Sequence, residues 1–565
     1  MPTGGGKSLC FQVPTLAMEG LCLVITPLIA LMKDQVENLR RRDIRAAAIY
    51  TGMSYEQQKA ALDNCMWGPY RFLYVSPERL ESEEFRERLA RLPICLIAVD
   101  EAHCISQWGY DFRPSYLRIA EIRDLIKSFK VSKFQSTNIE TTAGVKPVTM
   151  SHETLQPSLV PILALTATAT PEVVDDIQER LAFREKNVLR KSFARENISY
   201  IVRESNKKSD EIVHILNKVP GSAIVYVRNR QRAQELAAYL QEKGISADFY
   251  HAGLSSKERS DKQEKWKAFG VESRKSNVES QRTRVIVATN AFGMGIDKPD
   301  VRVVIHHDLP DTIEAYFQEA GRAGRDEQKA FAVLLYDPSD KTKARKRIAD
   351  NYPDEETLHN VYHKTCNYLG VGSDSGQGAT FFIDMFDLCK KMHLPVFPTY
   401  SALHLLSQMG YFSFDEEQEI QPRVRLRVTR RELEEYRLNE EENSLVEHLM
   451  REYTGIFTEL QYVHKLDDRH QELVALAQKR IIDYVPRTKA NVLRLSVNRQ
   501  SEIRIPQEFY KQRKNHYANK LKAMVEYVEN KHFCRSQVML AYFGENDAPV
   551  CGTCDICRAA LNTKH

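Results

Sequence analysis

The first 336 or so residues alternate short apolar runs with longer amphipathic stretches, and this alternation constrains the fold more than any other feature. Apolar runs that recur between helix-period segments are typical of parallel strands buried on both faces. Seven such strands are predicted, at residues 21–26, 71–76, 94–100, 162–167, 223–227, 284–289 and 301–307. The pattern therefore predicts an α/β architecture, and residues 204–220 are expected to divide it into two lobes.

After about residue 340 the alternation gives way to charged, helix-period sequence. Helices are predicted at residues 386–392 and 400–409, followed by the strands YFSF and RVRLRV around an acidic turn, an order that suggests a winged helix. Arg423, Arg425 and Arg427 alternate along the second strand. We expect them to form a basic wing that faces DNA, and a domain that serves only as a spacer is the alternative.

Composition indicates several soluble domains and gives little direct information about partners. The chain has 565 residues, 42% of them hydrophobic, and 80 Lys and Arg against 76 Asp and Glu give a net charge of only +4. Such a balance does not by itself predict a nucleic-acid partner. No apolar run approaches the roughly 20 residues of a membrane helix, and the N-terminus lacks the features of a secretory signal. We therefore expect a reducing, cytoplasmic setting and no membrane partner.

The segment GGGKS supplies what a triphosphate needs at a turn from strand to helix. Gly4, Gly5 and Gly6 let backbone N–H groups close around a phosphate, Lys7 adds a positive charge, and Ser8 suits a magnesium ion. The strict pattern asks for glycine at its first position, where this chain has methionine. A flexible glycine-rich terminus is the alternative, and the preferred prediction is a site for ATP and Mg²⁺.

The tetrapeptide DEAH follows the apolar run that ends at Val99. Hydrolysis of ATP needs metal-bridged charge neutralisation and an oriented water molecule. Asp100 is predicted to bind magnesium and Glu101 to polarise the water. A solvated acidic turn fits poorly beside so apolar a strand.

A glycine-rich turn with two arginines, QEAGRAGRD, occupies residues 318–326 of the second predicted lobe. Arginine grips phosphate oxygens in bidentate fashion. Arg322 and Arg325 are therefore predicted to stabilise charge on the transferred phosphate, with an exposed basic turn as the alternative. Gln318 and His103 are predicted to relay the state of the nucleotide between the lobes.

Four cysteines crowd the C-terminus in the spacing C-x16-C-x2-C-x2-C: Cys534, Cys551, Cys554 and Cys557. Four thiolates in this pattern, in a reducing compartment, are typical of a structural Zn²⁺ site. An iron–sulfur cluster also takes four thiolates and is the less favoured reading.

Together these motifs make the chain resemble RecQ-family helicases of superfamily 2, of bacterial type. MPTGGGKSLCFQ, ITPLIALMKDQV, YVSPERL, DEAHCISQWGYDFRPSY, LTATAT, VATNAFGMGIDKPDVR and QEAGRAGRD are similar to successive helicase motifs of that family. The resemblance implies ATP-driven 3′→5′ unwinding of duplex DNA in recombination and repair, with single-stranded and duplex or forked DNA as partners. Trp108, Tyr110, Phe112 and Arg113 follow the DEAH segment and are predicted to stack on single-stranded bases, with core packing as the alternative.

The expected organisation is an α/β chain of two RecA-like parallel-sheet lobes, followed by a mainly helical region with a winged-helix-like part and a small four-cysteine zinc module. The predicted domains are residues 1–203, 204–340, 341–510 and 511–565. Because the sequence starts at the phosphate loop, we expect the strand that feeds this loop, and an upstream glutamine motif, to be missing. We expect a monomer located with the bacterial nucleoid, and two rivals stay open: a non-catalytic DNA-binding scaffold and a translocase that does not separate strands.

Overall fold

A computed structural model describes residues 6–27, 29–50, 53, 55–106, 113–126, 160–270, 282–293, 298–420, 422–436, 438–453, 455–458, 461–463, 466, 469–485 and 488–562. The chain forms two compact units, one of Met1–Ala344 with His516–His565 and the other of Arg345–Asn515. None of the helices in the described ranges combines the length and apolar character that crossing a bilayer requires.

The first lobe is built on a five-stranded parallel sheet in the order β2-β3-β1-β4-β5. Its strands are β1 Leu21–Ile25, β2 Ala46–Ile49, β3 Phe72–Val75, β4 Ile94–Val99 and β5 Ile162–Ala164. Every residue of the central strand β1 is buried, because apolar clusters cover both faces of the sheet. The helices of this lobe are Leu9–Ala17, Ile29–Arg40, Tyr55–Trp67, Glu83–Ala90 and Pro171–Arg180, with short 3₁₀ helices at Pro77–Glu81, Ala102–Ile105 and Pro114–Arg118.

The second lobe has a six-stranded parallel sheet in the order β6-β11-β10-β7-β9-β8. Its strands are β6 Ile198–Glu204, β7 Ser222–Tyr226, β8 Ala247–Tyr250, β9 Val285–Ala288, β10 Val301–His306 and β11 Ala330–Tyr336. The accompanying helices are Lys208–Lys218, Arg230–Glu242, Ser256–Lys267, Ile313–Ala320 and Ser339–Asn351. The prediction of two parallel-sheet lobes is therefore confirmed.

The predicted lobe boundary at residue 204 is wrong by a whole strand. Strand β6 pairs with β11 along its full length, from Ile198 opposite Ala330 to Glu204 opposite Tyr336. The second lobe therefore begins no later than Ile198, and residues 204–220 hold a helix of that lobe. Strand β6 lies at the edge of its sheet, and its second half is partly exposed. It therefore lacks the continuous apolar run by which the seven predicted strands were recognised.

The second unit carries the element order predicted for a winged helix. Helix Glu355–Tyr368 is followed by β12 Thr380–Ile383, the helices Met385–Met392 and Val396–Gln408, and β13 Phe412–Ile420. A third strand, β17 Thr488–Leu495, lies between β12 and β13 in an antiparallel sheet of order β12-β17-β13. The wing of this unit is consequently the pair β13 and β17, which are distant in sequence.

The predicted strands YFSF and RVRLRV both exist, but they belong to different sheets. The second segment forms β14 Arg423–Leu426, which pairs with β15 Gln461–Tyr462 and β16 Ile482–Val485 in a separate sheet. Helices Glu440–Glu452 and His470–Gln478 cover this sheet and share an apolar cluster with it. Residues 421–487 therefore form a small subdomain inserted at the tip of the β13–β17 wing.

The three arginines of the predicted basic wing belong to that subdomain. Arg425 donates to the Asp483 carboxylate, Arg427 Nε lies 3.5 Å from the same group, and the Arg423 guanidinium lies 4.8 Å from the Phe382 ring centroid. Alternation along the strand was recognised correctly, but its partners in strand β16 lie far away in sequence, as Val485 does opposite Arg423, where short-range pattern gives no information. The prediction that these charges form a DNA-facing wing is not supported by this placement.

The C-terminal part of the chain is helical. Its helices are Gln507–Glu529, Arg535–Tyr542 and Asp555–Asn562, and the first of them crosses the division between the two units. The last two flank the cysteine-rich segment.

Candidate nucleotide site and zinc centre

The phosphate loop ends at the N-terminus of helix Leu9–Ala17. Gly6 has a φ of +81°, which favours glycine, and Lys7 and Ser8 follow it directly into the helix. Gly4 and Gly5 lie outside the described residues. The positive end of a helix dipole, next to a lysine, suits a phosphate group.

The acidic pair lies where strand β4 ends, beside the central strand β1. Asp100 N donates to Ile25 O at 2.8 Å, which holds the segment against β1, and both Asp100 and Glu101 are buried. Glu101 has a φ of +48°, a left-handed conformation that costs a non-glycine residue about 1–2 kcal/mol. This turn directs the Glu101 carboxylate to Lys7, with Oε1 3.1 Å from Nζ.

Burial and charge shift the ionisation of all three groups. Burial, with the Glu101 charge beside it, raises the pKa of Asp100 to about 6. Burial acts to raise the pKa of Glu101 as well, but the Lys7 ammonium outweighs it and holds that pKa below its usual value. Burial acts to lower the pKa of Lys7, and the two carboxylates reverse this and raise it. The buried Lys7 ammonium thus stabilises the charged forms of both acids, whereas the Glu101 charge opposes ionisation of Asp100.

His103 connects the DEAH segment to the LTATAT segment. Its ring is fully buried, and Nδ1 lies 3.0 Å from Thr166 Oγ1 and 3.5 Å from Glu101 Oε2. The predicted relay residue therefore contacts both the acidic pair and the segment after β5.

The two lobes face each other across a cleft of about 930 Å³. Residues that line it include Lys7, Ser8, Asp100 and Glu101 from the first lobe, and Gln318, Arg322 and Arg325 from the second. The volume suits a nucleotide, since ligand pockets commonly enclose roughly 300–1,000 Å³. Every predicted nucleotide-site residue that the structure describes therefore lines one cleft.

Arg322 carries the clearest sign of an anionic ligand. It is only 4% exposed, and its Nε and Nη1 atoms make no hydrogen bond within the described part of the chain. Buried donors without partners are costly. A phosphate group in the cleft fits these donors, and the Asp100 carboxylate with the Ser8 hydroxyl fits a magnesium ion beside it.

Gln35 is a site residue that sequence reasoning missed. Its Nε2 donates to Ser8 Oγ at 3.1 Å, and its Oε1 accepts from the Tyr74 hydroxyl at 2.9 Å. The chain Tyr74–Gln35–Ser8 therefore orients the predicted magnesium ligand. A glutamine in the motif ITPLIALMKDQV was the available signal, but nothing in the local sequence connects it with residue 8.

The predicted DNA-binding loop is described only at its end. Trp108, Tyr110 and Phe112 lie outside the described residues. Arg113 N donates to Cys104 O at 2.8 Å, and its Nη1 lies 3.7 Å from Glu78 Oε1. Arg113, the last residue of the predicted loop, is therefore held next to the DEAH segment by its hydrogen bond to Cys104 O.

The four C-terminal cysteines converge on one site. The Sγ atoms of Cys534, Cys551, Cys554 and Cys557 all lie within 4.8 Å of one another. Tetrahedral Zn²⁺ with Zn–S bonds of about 2.3 Å would separate its sulfurs by about 3.8 Å. Three backbone amides, those of Cys551, Cys554 and Cys557, also point at cysteine sulfurs at 3.3 to 3.4 Å. Four sulfurs so arranged fit the predicted Zn²⁺. The N–H donors favour the thiolate form of the cysteines that accept from them.

Three family comparisons agree with this geometry. Residues 1–177 match the DEAD/DEAH box helicase family, residues 207–327 the helicase conserved C-terminal domain, and residues 496–558 the RecQ zinc-binding domain. The chain is therefore similar to RecQ-family helicases. The RecQ zinc-binding match spans all four cysteines of the cluster, which supports Zn²⁺ as their metal.

Curated relatives carry the same family name. The chain is 41% identical over 345 residues to "ATP-dependent DNA helicase RecQ" of Bacillus subtilis, which covers 60% of this chain and 51% of the relative. It is 39% identical over 341 residues to the RecQ helicase of Pasteurella multocida, covering 60% of this chain and 47% of the relative. It is 38% identical to the "Probable ATP-dependent DNA helicase RecS" of Bacillus subtilis, covering 60% of each. The chain thus spans about half the length of the first two RecQ relatives.

Proposed function

We propose that this chain is an ATP-dependent DNA helicase of RecQ type, which couples ATP hydrolysis in the lobe cleft to 3′→5′ unwinding of DNA. The observation that carries the proposal is the convergence of Lys7, Asp100 and Glu101 with Arg322 and Arg325 on one cleft. Such a cleft closes when both lobes contact the same ligand. Relatives with 38–41% identity are named DNA helicases, which supports DNA as the substrate.

Each residue has a distinct part in this proposal. Lys7 exchanges the Glu101 carboxylate for phosphate oxygens, while Ser8, oriented by Gln35, and Asp100 hold the magnesium ion. When bound, the magnesium ion neutralises charge on the phosphates. Glu101 then accepts a hydrogen bond from the attacking water.

The second lobe completes the site. Arg322 and Arg325 stabilise the charge that develops on the phosphate, an effect worth roughly 10³–10⁵ in rate in related phosphoryl-transfer enzymes. Gln318 lines the cleft on helix Ile313–Ala320, which runs into the arginine-bearing turn. His103, buried between Glu101 and Thr166, transmits the state of the first lobe to the segment after β5.

The DNA path of the proposal runs past the loop after DEAH. Trp108, Tyr110 and Phe112 stack on bases of a single strand and Arg113 contacts its backbone, a mode of binding that tolerates any sequence. The proposal places the protein with DNA in the bacterial cytoplasm, where RecQ-type activity serves recombination and repair.

The first test is DNA-stimulated ATPase activity. Wild type is expected to hydrolyse ATP faster with single-stranded DNA present, and Lys7→Ala is expected to lose that activity. Lys59→Ala, an exposed lysine on helix Tyr55–Trp67 of the same lobe, serves as the matched control. A wild-type protein without DNA-stimulated hydrolysis would leave the scaffold alternative standing.

A second test separates a helicase from a translocase. Forked duplexes with either a 3′ or a 5′ single-stranded tail are incubated with protein and ATP, and the released strand is measured. We expect release only from the 3′-tailed fork. Movement along single strands without strand release would favour the translocase.

A further inference from the structure

The segment between helix Pro171–Arg180 and strand β6, hereafter the linker, joins the two lobes. Its residue Arg195 contacts the turn formed by residues 321–325, hereafter the arginine turn. Its Nη1 donates to Gly321 O at 3.2 Å, and its Nη2 donates to Ala323 O at 3.1 Å and Gly324 O at 2.9 Å. These carbonyls lie on both sides of Arg322. One guanidinium therefore fixes the backbone from which the catalytic arginines project.

Asn197 adds a second clamp from the same linker. Its Nδ2 donates to Gly324 O at 2.7 Å and to Gln328 O at 2.9 Å. Gly324 has a φ of +54°, and a Cβ on it would lie 2.5 Å from that Nδ2 atom. The linker and the arginine turn therefore fit together without room for an additional methyl group.

The zinc module, residues 511–565, also contacts this linker. Glu545, which lies between Cys534 and Cys551 in sequence, accepts a hydrogen bond from Ser192 Oγ at 2.7 Å and another from Phe193 N at 2.7 Å. A carboxylate that accepts two hydrogen bonds from adjacent residues fixes a short segment in both position and direction.

An aromatic cluster reinforces the contact. The Phe193 ring centroid lies 4.9 Å from that of Phe543 and 5.8 Å from that of Phe317, and the last two are 5.1 Å apart. Phe543 belongs to the zinc module, and Phe317 lies in helix Ile313–Ala320, which leads into the arginine turn. Three segments distant in sequence thus pack as one body next to Arg195.

We propose that Arg195 and Glu545 are positioning residues through which the zinc module holds the arginine turn in place for ATP hydrolysis. The inference rests on the proposed role of Arg322 and Arg325. The Nε and Nη1 atoms of Arg322 have no hydrogen-bond partner among the described residues. The position of its side chain therefore depends on the backbone of the turn, together with its packing and its hydrogen bond with Tyr226. Loss of the Arg195 guanidinium or of the Glu545 carboxylate is expected to loosen the arginine turn without removing any group that contacts ATP.

The experiment compares Arg195→Ala, Arg195→Lys and Glu545→Ala with two exposed controls, Arg190→Ala in the same linker and Asp547→Ala in the same loop. Steady-state ATPase with saturating single-stranded DNA should show kcat lowered by roughly ten- to hundredfold in Arg195→Ala, the range expected for small misplacement of a catalytic group. The KM for ATP should stay within about twofold, because ground-state contacts are unchanged. Arg195→Lys should be intermediate, since an ammonium lacks the fork that bridges several carbonyls.

A double-variant comparison distinguishes positioning from an independent effect. If Arg195 acts through Arg322, then Arg195→Ala should have little further effect on kcat in an Arg322→Ala background, measured by release of radioactive phosphate. The same fold-loss in both backgrounds would overturn the inference.

Hydrogen exchange provides a readout that does not depend on activity. Amides of residues 321–325 should exchange faster in Arg195→Ala and Glu545→Ala than in wild type and in both controls, with zinc content unchanged. Unchanged exchange in the turn, or loss of zinc from Glu545→Ala, would overturn the inference. A wild type without ATPase would instead count against the proposed function, and the exchange measurement would still decide whether the clamp exists.

Discussion

Lys7 and Glu101, 94 residues apart in sequence, form an ion pair of 3.1 Å between Nζ and Oε1. Their side chains are only 16% and 7% exposed, so the pair is shielded from solvent. Lys7 is proposed to bind phosphate, and Glu101 is proposed to bind the attacking water. Without nucleotide, these two side chains bind each other. Phosphate binding must therefore break this contact, which releases the Glu101 carboxylate at the same time.

The first prediction concerns Glu101→Gln. Removing the negative charge weakens the hold on Lys7, so the affinity for ATP should be equal to or higher than that of wild type. Hydrolysis should fall by about 10²–10⁴-fold, the usual contribution of a positioned proton acceptor. Equilibrium binding of a fluorescent ATP analogue and single-turnover hydrolysis measure the two effects separately.

Glu87→Gln, an exposed acid on helix Glu83–Ala90, is the control for that variant and should leave both quantities unchanged. The interpretation of the ion pair would be wrong if Glu101→Gln weakened ATP binding as much as Lys7→Ala does.

The second prediction concerns the chain Tyr74–Gln35–Ser8. Gln35→Ala should leave the buried Tyr74 hydroxyl without its acceptor and lower the free energy of unfolding by about 1–3 kcal/mol. It should also raise the magnesium concentration needed for half-maximal ATPase activity, because Ser8 is no longer oriented. Tyr74→Phe provides the comparison, since it removes the hydroxyl and leaves the contact between Gln35 and Ser8. A normal magnesium dependence in Gln35→Ala would show that Ser8 needs no orienting partner.

The third prediction concerns the zinc centre. Cys554 is fully buried among the four thiolates, so Cys554→Ser should lose the metal and unfold the C-terminal module. Zinc content measured by colorimetric chelation should fall from one ion per chain, and protease cleavage within residues 530–562 should accelerate. Cys95→Ser, a thiol of strand β4 outside this cluster, should keep its zinc. Retention of zinc by Cys554→Ser would contradict a four-thiolate site.

The fourth prediction compares two glycines with positive φ. Gly370→Ala should lower the free energy of unfolding only by the cost of a left-handed backbone, about 1–2 kcal/mol, because nothing lies within 4 Å of the new methyl group. Gly324→Ala bears the same cost, and its methyl group also meets Asn197 Nδ2 at 2.5 Å, Gln328 O at 2.7 Å and Ala330 Cβ at 2.9 Å, so it should lower stability further and reduce kcat. Thermal unfolding and ATPase assays on the two variants measure the contribution of close packing at the arginine turn. Equal behaviour of the two variants would contradict close packing at the arginine turn.

The fifth prediction concerns the subdomain at the wing. Ile420 pairs with Thr488, so the two ends of the insert lie side by side on adjacent strands. Replacing residues 421–487 by Asn-Gly, a dipeptide suited to a tight hairpin, should preserve the helices of the second unit. Circular dichroism should show the helix content expected after removal of Glu440–Glu452 and His470–Gln478 alone. A larger loss of helix would mean that the subdomain supports the winged-helix core.

Sequence reasoning located seven of the eleven strands described in the two parallel sheets and missed β2, β6, β8 and β11. The seven predicted strands all exist, because continuous apolar runs such as LCLVI are hard to place anywhere but the centre of a parallel sheet. One missed strand, AAAI at Ala46–Ile49, carries small residues with weak β-propensity and is fixed by pairing with β3. The missed strand AFAVLLY at Ala330–Tyr336 is an apolar run that was available in the sequence.

The candidate site followed the same rule. Lys7, Ser8, Asp100, Glu101, Arg322 and Arg325 were found because each lies in a short motif with its own chemistry. Gln35, Arg195 and Asn197 were not, because their importance lies in contacts with residues 27 to 131 positions away. Residues that orient a site have ordinary local sequence, and only the tertiary structure shows what they hold.

The first unit is interrupted in sequence, since Met1–Ala344 is completed by His516–His565 only after the whole of Arg345–Asn515. A ribosome that adds about 5–20 residues per second therefore finishes the second unit first. Glu545 follows the whole second unit in sequence, so its contacts with Ser192 and Phe193 can form only after that unit has been synthesised. During translation the nascent chain consequently carries both parallel-sheet lobes before Glu545 can secure the arginine turn.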